Sequence, residues 1–190
     1  ATPVCGEDSS CRACEAHSDC GSDACLPDGS CALESQVVYL KEGAPATGNC
    51  TKAAPCSGIS TALGQTSSSL RPYVRVTGTI ENVAEIISTK ALFFLGGPGA
   101  VLRGEQSGTV DSILRLTNGA EVMLYDLTLR DSMRSGIRLE NGASVRLERS
   151  RIFEVADHGI FVAGGSAVVM QSEIAGCGQR GLYVTEGELI

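Results

Sequence analysis

The chain has 190 residues, a formal charge of −7 and 43% hydrophobic residues, enough for one ordinary domain with a small appendage and too apolar for global disorder. Glycine supplies 23 residues without a Gly-X-Y period, which excludes collagen, and tryptophan is absent. No basic cluster is present to replace the counterions of a nucleic acid, and no run of about eighteen apolar residues could span a membrane.

Residues 1–35 hold seven carboxylates (Glu7, Asp8, Glu15, Asp19, Asp23, Asp28 and Glu34) against Arg12 alone, so the acidity belongs to this segment. Six of the nine cysteines fall in the same stretch: Cys5, Cys11, Cys14, Cys20, Cys25 and Cys31. With so few aliphatic side chains it cannot fold by hydrophobic collapse. Three disulfides would each stabilise it by roughly 2–4 kcal/mol, and spacing alone does not choose among the pairings. Cys11-Arg-Ala-Cys14 is a C-x-x-C such as opens a zinc ribbon. Its second C-x-x-C is missing, however, and His17 is the one histidine nearby. The reading is therefore a disulfide module with no metal and no cofactor, in a secreted or cell-surface protein. Ala1-Thr2-Pro3 reads as a mature terminus after removal of a signal peptide.

Residues 36–71 read as a capping segment. Cys50 and Cys56 form a second short disulfide loop, and residues 57–64 read as a helix with Ser57 as its N-cap. A helix there would cover the open edge of the first winding. Tyr73–Val76 and Leu92–Leu95 then read as strands of two early windings, the second continued by Ala100-Val-Leu102.

A repeat governs the second half. Segments beginning at Leu114, Ile137, Ile160 and Leu182 recur every 22 or 23 residues, and the last three follow Gly136, Gly159 and Gly181. Each alternates apolar and polar residues, turns at Asn118-Gly119, Asn141-Gly142, Gly164-Gly165 or Glu186-Gly187, and resumes in a second strand. In the three complete units the second strand places Val122 and Leu124, Val145 and Leu147, or Val168 and Met170 inward. A third stretch ends at Leu129, Ile152 or Ile174. Three strands per period make one rung of a right-handed parallel β-helix, in which Leu114, Ile137, Ile160 and Leu182 stack and Asn118 lies in register with Asn141, where their amides can hydrogen-bond between rungs. The leucine-rich repeat has a similar period, but its L-x-x-L-x-L-x-x-N-x-L pattern is not matched and no helix separates the strands. The expected architecture is thus all-β: a disulfide module over 1–35 and a parallel β-helix over 36–190, with rungs over 72–190. The last rung breaks off uncapped at Gly187–Ile190, which reads as a truncated chain with an end open to end-to-end self-association. Cys177 has no obvious partner. It reads as a buried free thiol or as one half of a bridge to a cysteine beyond residue 190.

Val37–Leu40, Pro55-Cys-Ser-Gly-Ile59 and the Gly-Ile and Asn-Gly-Ala rungs together resemble secreted bacterial proteins of the pectin-lyase-like β-helix superfamily. That resemblance implies the fold over roughly residues 36–190. It leaves function open between polysaccharide lyases, hydrolases or epimerases and non-enzymatic surface proteins.

Chemistry must come from outward residues. Alternation turns Arg115, Arg138, Phe161 and Tyr183 outward in one strip, a candidate polysaccharide-binding face. The competing reading is a solvated arginine column balanced by Glu140, Glu121 and Glu148. In the preceding turn, Asp157 and His158 align with Arg134 and Ser135 below and with Gln179 and Arg180 above, near Asp131. Asp157, His158, Arg134 and Arg180 are therefore the catalytic candidates on an acidic polysaccharide. Nothing else completes a catalytic set, so the expected function is a non-catalytic surface scaffold, adhesin-like or polysaccharide-binding, whose partner is a polysaccharide or another surface protein.

Overall fold

The computed structural model describes residues 3–5, 11–106 and 111–190. The side chains of Cys5 and Cys11, two of the expected disulfide cysteines, lie outside the described residues. An antiparallel ribbon, β1 (Val4–Cys5) with β2 (Cys11–Arg12), opens the chain. The Cys-rich module then closes on bridges Cys14–Cys25 and Cys20–Cys31, and Cys50–Cys56 closes the separate loop.

The rest is a parallel β-helix with three faces. The first face stacks β6 (Glu85–Ser88), β9 (Ser112–Thr117) and the leading halves of β12 (Ser135–Glu148), β14 (Ile160–Met170) and β16 (Leu182–Leu189). The second stacks β3 (Val37–Lys41), β4 (Tyr73–Thr77), β7 (Ala91–Leu95), β10 (Glu121–Tyr125) and the trailing halves of β12, β14 and β16. The third is β5 (Thr79–Val83), β8 (Val101–Gly104), β11 (Thr128–Ser132), β13 (Arg151–Val155) and β15 (Glu173–Cys177). The stack begins at Val37, so the segment read as a cap contributes a strand as well as a helix.

Alternation supplies the inward columns. Leu114 pairs with Ile137, which pairs with Ile160 and then Leu182. Phe94, Leu124, Leu147 and Val169 line up on the second face, and Leu102, Leu129, Ile152 and Ile174 on the third. No single rung can cover these groups. Stacked at roughly 4.8 Å they exclude water from one another, each burial contributing roughly 1.5–3 kcal/mol. Gly136 and Gly159 let the windings close. A Cβ on Gly159 would strike the Ile174 side chain and lie 2.5 Å from the Gly181 carbonyl.

Four details differ from the sequence reading. First, the inward residues of the second strand in the third repeat are Ala167 and Val169, opposite Val145 and Leu147; Val168 and Met170 face outward. The cause is a shorter corner: Asn141-Gly142, both left-handed, stands opposite Gly164 alone, which advances all later residues by one. Second, the corner asparagines do not bond to each other. Asn141 Nδ2 donates to Thr117 Oγ1 (3.1 Å) and Asn118 Nδ2 to Ser88 Oγ (3.0 Å), each reaching the rung below. Third, the helix α1 (Ile59–Gln65) starts from Gly58 rather than Ser57: the Ser57 amide is tied back to the Pro45 carbonyl (2.9 Å), and residue 58 passes too close to the Ala46 carbonyl for any side chain. It buries Ile59, Ala62 and Leu63 against Val38 and Leu40. Lys90 Nζ donates to the Leu63 carbonyl (2.7 Å) near the helix's C-terminal end. Fourth, Cys177 is a free thiol but only half-buried, in line with Val155 on the third face.

The module is not a loose appendage. Ala24, Leu26 and Ala32 pack on the outward side chains Val37, Tyr39, Leu95 and Tyr125, with Tyr73, Phe93 and Met123 at the margin. Tyr39 Oη donates to the Ser22 carbonyl (2.7 Å), Arg75 Nε to the Asp23 carbonyl (2.8 Å) and Lys52 Nζ to the Gly21 carbonyl (2.6 Å).

The inward columns make a direct prediction. Ile137→Asp puts an unpaired carboxylate into a fully buried column and should destabilise the protein by more than about 3 kcal/mol in chemical denaturation. Thr77→Asp, at an exposed position of β4 beside the buried Val76, should cost under about 1 kcal/mol. Equal losses would contradict the assignment of inside and outside.

Candidate functional site

The first face presents the expected strip. Strand alternation turns every second side chain outward, and the register pairs Ile86 with Arg115, Arg115 with Arg138, Arg138 with Phe161 and Phe161 with Tyr183. Ile86, at the foot of the column, escaped the sequence reading because Glu85-Ile-Ile-Ser88 lacks the preceding glycine of the later repeats.

The lower half of the strip is charge-compensated. Glu140 accepts from Arg115 Nε and Nη2 (2.9 and 2.6 Å) through one oxygen and from Arg138 Nε (2.6 Å) through the other. Asp111 lies 3.3 Å from Arg138. Burial alone would push the Glu140 carboxyl up, but the hydrogen bonds from Arg115 and Arg138 outweigh it and hold the group below its ordinary value. Of the other two expected counter-charges, Glu148 instead serves Arg146 and Arg149. The solvated-column reading thus describes Arg115 and Arg138 well.

The upper half is an aromatic stack. The Arg138 guanidinium lies 4.8 Å from the Phe161 centroid, Phe161 and Tyr183 stack at 5.3 Å with a 16° tilt, and the Arg180 guanidinium lies 4.5 Å from the Tyr183 centroid. His158 wedges against both rings at 5.5 and 4.7 Å. The aromatic faces are therefore spent on each other and on the guanidiniums, and none is left flat for a sugar ring. Arg180 is exposed and, among the described residues, forms no salt bridge.

The turn candidates are brought close in sequence register but not into a couple. Asp157 accepts from Gln179 Nε2 (3.1 Å) and sits 3.9 Å from Arg134. His158 is 8% exposed, and its Nδ1 is buried without a hydrogen-bond partner. Burial lowers its pKa, Asp157 opposing and Arg180 adding to the effect. No hydrogen bond joins Asp157 to His158 among the described residues, so the two do not form an oriented acid–base pair. Asp131 is held 2.8 Å from Arg103 and 3.3 Å from Arg130.

Among the described residues, no metal centre emerges from the cysteines. The sulfurs of Cys14, Cys20 and Cys31 lie within 4.8 Å of one another, but each is committed to a disulfide and offers no thiolate. No described helix is long and apolar enough to cross a membrane.

Parallel rungs, stacked aliphatic columns and an outward strip define a β-helix with a side-chain ladder on its first face. A model of the right-handed β-helix region matches residues 85–189, more than half of the chain, and the protein belongs to that family. No curated protein and no solved structure matches the chain.

The Glu140 bridge has a pH signature. Its carboxyl is depressed in the folded state, so the stability it adds is complete above the ordinary carboxylate value and is lost as pH falls through the lowered one. Chemical denaturation between about pH 6 and about pH 3 should show a smaller acid loss in Glu140→Gln than in wild type. An identical loss would remove Glu140 from the account.

Proposed function

We propose that the chain is a non-catalytic extracellular scaffold, a bacterial surface or secreted β-helix of the pectin-lyase-like kind, that binds acidic polysaccharide along its first face. The three disulfides among the described residues fit an oxidising, extracytoplasmic setting. One observation carries the binding reading: the stack Arg138–Phe161–Tyr183–Arg180, wedged by His158, fixes two guanidiniums over rings and leaves in-plane N–H groups for a ligand. A stacked guanidinium has already lost its rotamer freedom, and its fork matches a carboxylate. Arg180 is the open seat, since Arg138 is already held by Glu140 and Asp111. An adhesin-like contact with an acidic surface on another protein would use the same chemistry. Asp157 and His158 share no hydrogen bond among the described residues, which supports a non-catalytic role.

The test is titration against acidic and neutral polysaccharides. Binding should be confined to the acidic ones, weaken as salt rises, and fall roughly tenfold (~1.4 kcal/mol) in Arg180→Ala or Tyr183→Ala. Wild type and His158→Ala should both leave every polysaccharide intact. Turnover that vanishes in His158→Ala would instead establish an enzyme, and binding indifferent to Arg180 would end the strip hypothesis.

A further inference from the structure

The seam between the module and the β-helix forms a cleft of about 680 Å³, walled by Cys14–His17 and Cys25–Pro27 on one side and by the Gly96–Ala100 turn, Tyr125, Asp126 and Arg149 on the other. Its charged walls are engaged with their own neighbours. Arg149 forks onto Asp126 (2.9 and 2.7 Å), and Arg151 pairs with Glu173 (2.9 Å). What the cleft leaves open is a disulfide. Cys14 and Cys25, bridged to each other, both line it; Cys25 is half-buried and Cys14 buried. His17 fixes Cys25 in this wall. Its Nδ1 accepts from the Cys25 amide N–H (3.0 Å), and its Nε2 donates across the cleft to the Gly96 carbonyl (2.6 Å). Behind the open bridge lies a second one. Cys20 and Cys31 are bonded to each other and buried, neither lines the cleft, and their sulfurs lie within 4.8 Å of the Cys14 sulfur. Cys50–Cys56, the third bridge among the described residues, is fully buried.

Thiol–disulfide exchange conserves the number of bridges. A thiolate bonds to one sulfur of a disulfide and expels the other as a thiolate, so no oxidant is consumed, and access decides which sulfur is attacked. A thiol entering the cleft meets Cys25. The new bond joins the incoming sulfur to Cys25 Sγ, the Cys14–Cys25 bond breaks, and its electron pair leaves on Cys14 Sγ. That thiolate forms at a buried residue, where the charge is poorly solvated. A second disulfide stands within 4.8 Å of it. Attack of Cys14 Sγ on Cys20 or Cys31 moves the bridge inward, and the displaced partner takes up the proton that the incoming thiol gave up.

We propose that the seam cleft is a thiol-exchange site: a small thiol adds to Cys25 as a mixed disulfide, and Cys14 relays the exchange to the Cys20–Cys31 bridge. Walls on both sides admit a peptide-sized thiol and keep out the surface of a folded protein. One thiol enters and one is released, so the site responds to the thiols around the protein without net oxidation or reduction. The bridges stand in for a core in the module, so the exchange rewires the module and leaves the aliphatic columns of the rungs as they are. The site is independent of ligand binding on the first face.

Reduced glutathione is the probe. The folded full chain, carrying Cys177→Ser to remove its free thiol, is incubated with excess glutathione at about pH 8, quenched with acid, alkylated and mapped by mass spectrometry. The adduct should appear on Cys25 at least roughly tenfold faster than on Cys50 or Cys56, and the same molecules should carry a Cys14–Cys20 or Cys14–Cys31 bridge. No adduct on Cys25, an earlier adduct on Cys14, Cys20 or Cys31, or labelling of Cys50 and Cys56 in step with Cys25 overturns the site. A Cys25 adduct that leaves Cys14 alkylated or bridged elsewhere overturns the relay. Cys25→Ser in the same background tests the relay without glutathione, because it leaves Cys14 unpaired from the start. Cys14 should then share bridges with Cys20 or Cys31, and a wholly free Cys14 beside an intact Cys20–Cys31 bridge overturns it. Should Cys25→Ser fail to fold, the bridge map of the glutathione-treated chain decides.

Discussion

Parallel strands hydrogen-bonded winding on winding place like residue over like residue at roughly 4.8 Å, and everything else in this protein inherits that spacing. Leu114, Ile137 and Ile160 are each fully buried because the next rung supplies the cover that one rung cannot. The same geometry builds the outside. Arg115 over Arg138 would be a repulsive pair in isolation, and Glu140 fits between them because the register delivers it there. Phe161 stacks on Tyr183 for the same reason, and the guanidiniums at the two ends close the stack. Inward columns set stability and outward columns set chemistry, and a single register shift would scramble both.

Much of this was legible because a repeat writes its own alignment. Ile137-Arg-Leu and Ile160-Phe-Val, each behind a glycine, give the first face and its outward strip directly. The second strand of the third repeat was misplaced because a corner can lose a residue without losing its glycine. Between Gly164 and Gly165 the sequence offers two candidates for one left-handed position, and only the structure selects Gly164. The helix starts one residue later for a tertiary reason, the tie of the Ser57 amide to the Pro45 carbonyl, which no local preference for a serine cap anticipates.

The docking of the module also leaves a signal in the sequence. Val37-Val-Tyr-Leu40 and Leu92-Phe-Phe-Leu95 are apolar at every position, which is the pattern of strands covered on both faces rather than of a half-exposed sheet. Inward alternation accounts for Val38, Leu40, Leu92 and Phe94; the remaining residues needed an outer cover, and Ala24, Leu26 and Ala32 provide part of it. The composition of residues 1–35 suggested independence because disulfides replace a core there. That poverty of apolar groups is also why the module gains by leaning on the β-helix. The candidate site was only partly legible. Alternation predicts which residues face out, but not that aromatic faces would be consumed by neighbouring rings, nor that His158 would turn away from Asp157 into the stack.

The winding itself can be measured by covalent capture. Arg115→Cys with Arg138→Cys, in a Cys177→Ser background, places two outward thiols on adjacent rungs in register, within the Cα separation that a disulfide spans. Arg115→Cys with Phe161→Cys places them two rungs apart, at roughly 9.6 Å, beyond that reach. Peptide mapping after mild oxidation should find the first bridge in near-complete yield and the second absent. Equal yields, or a bridge only in the second pair, would contradict a chain wound rung upon rung.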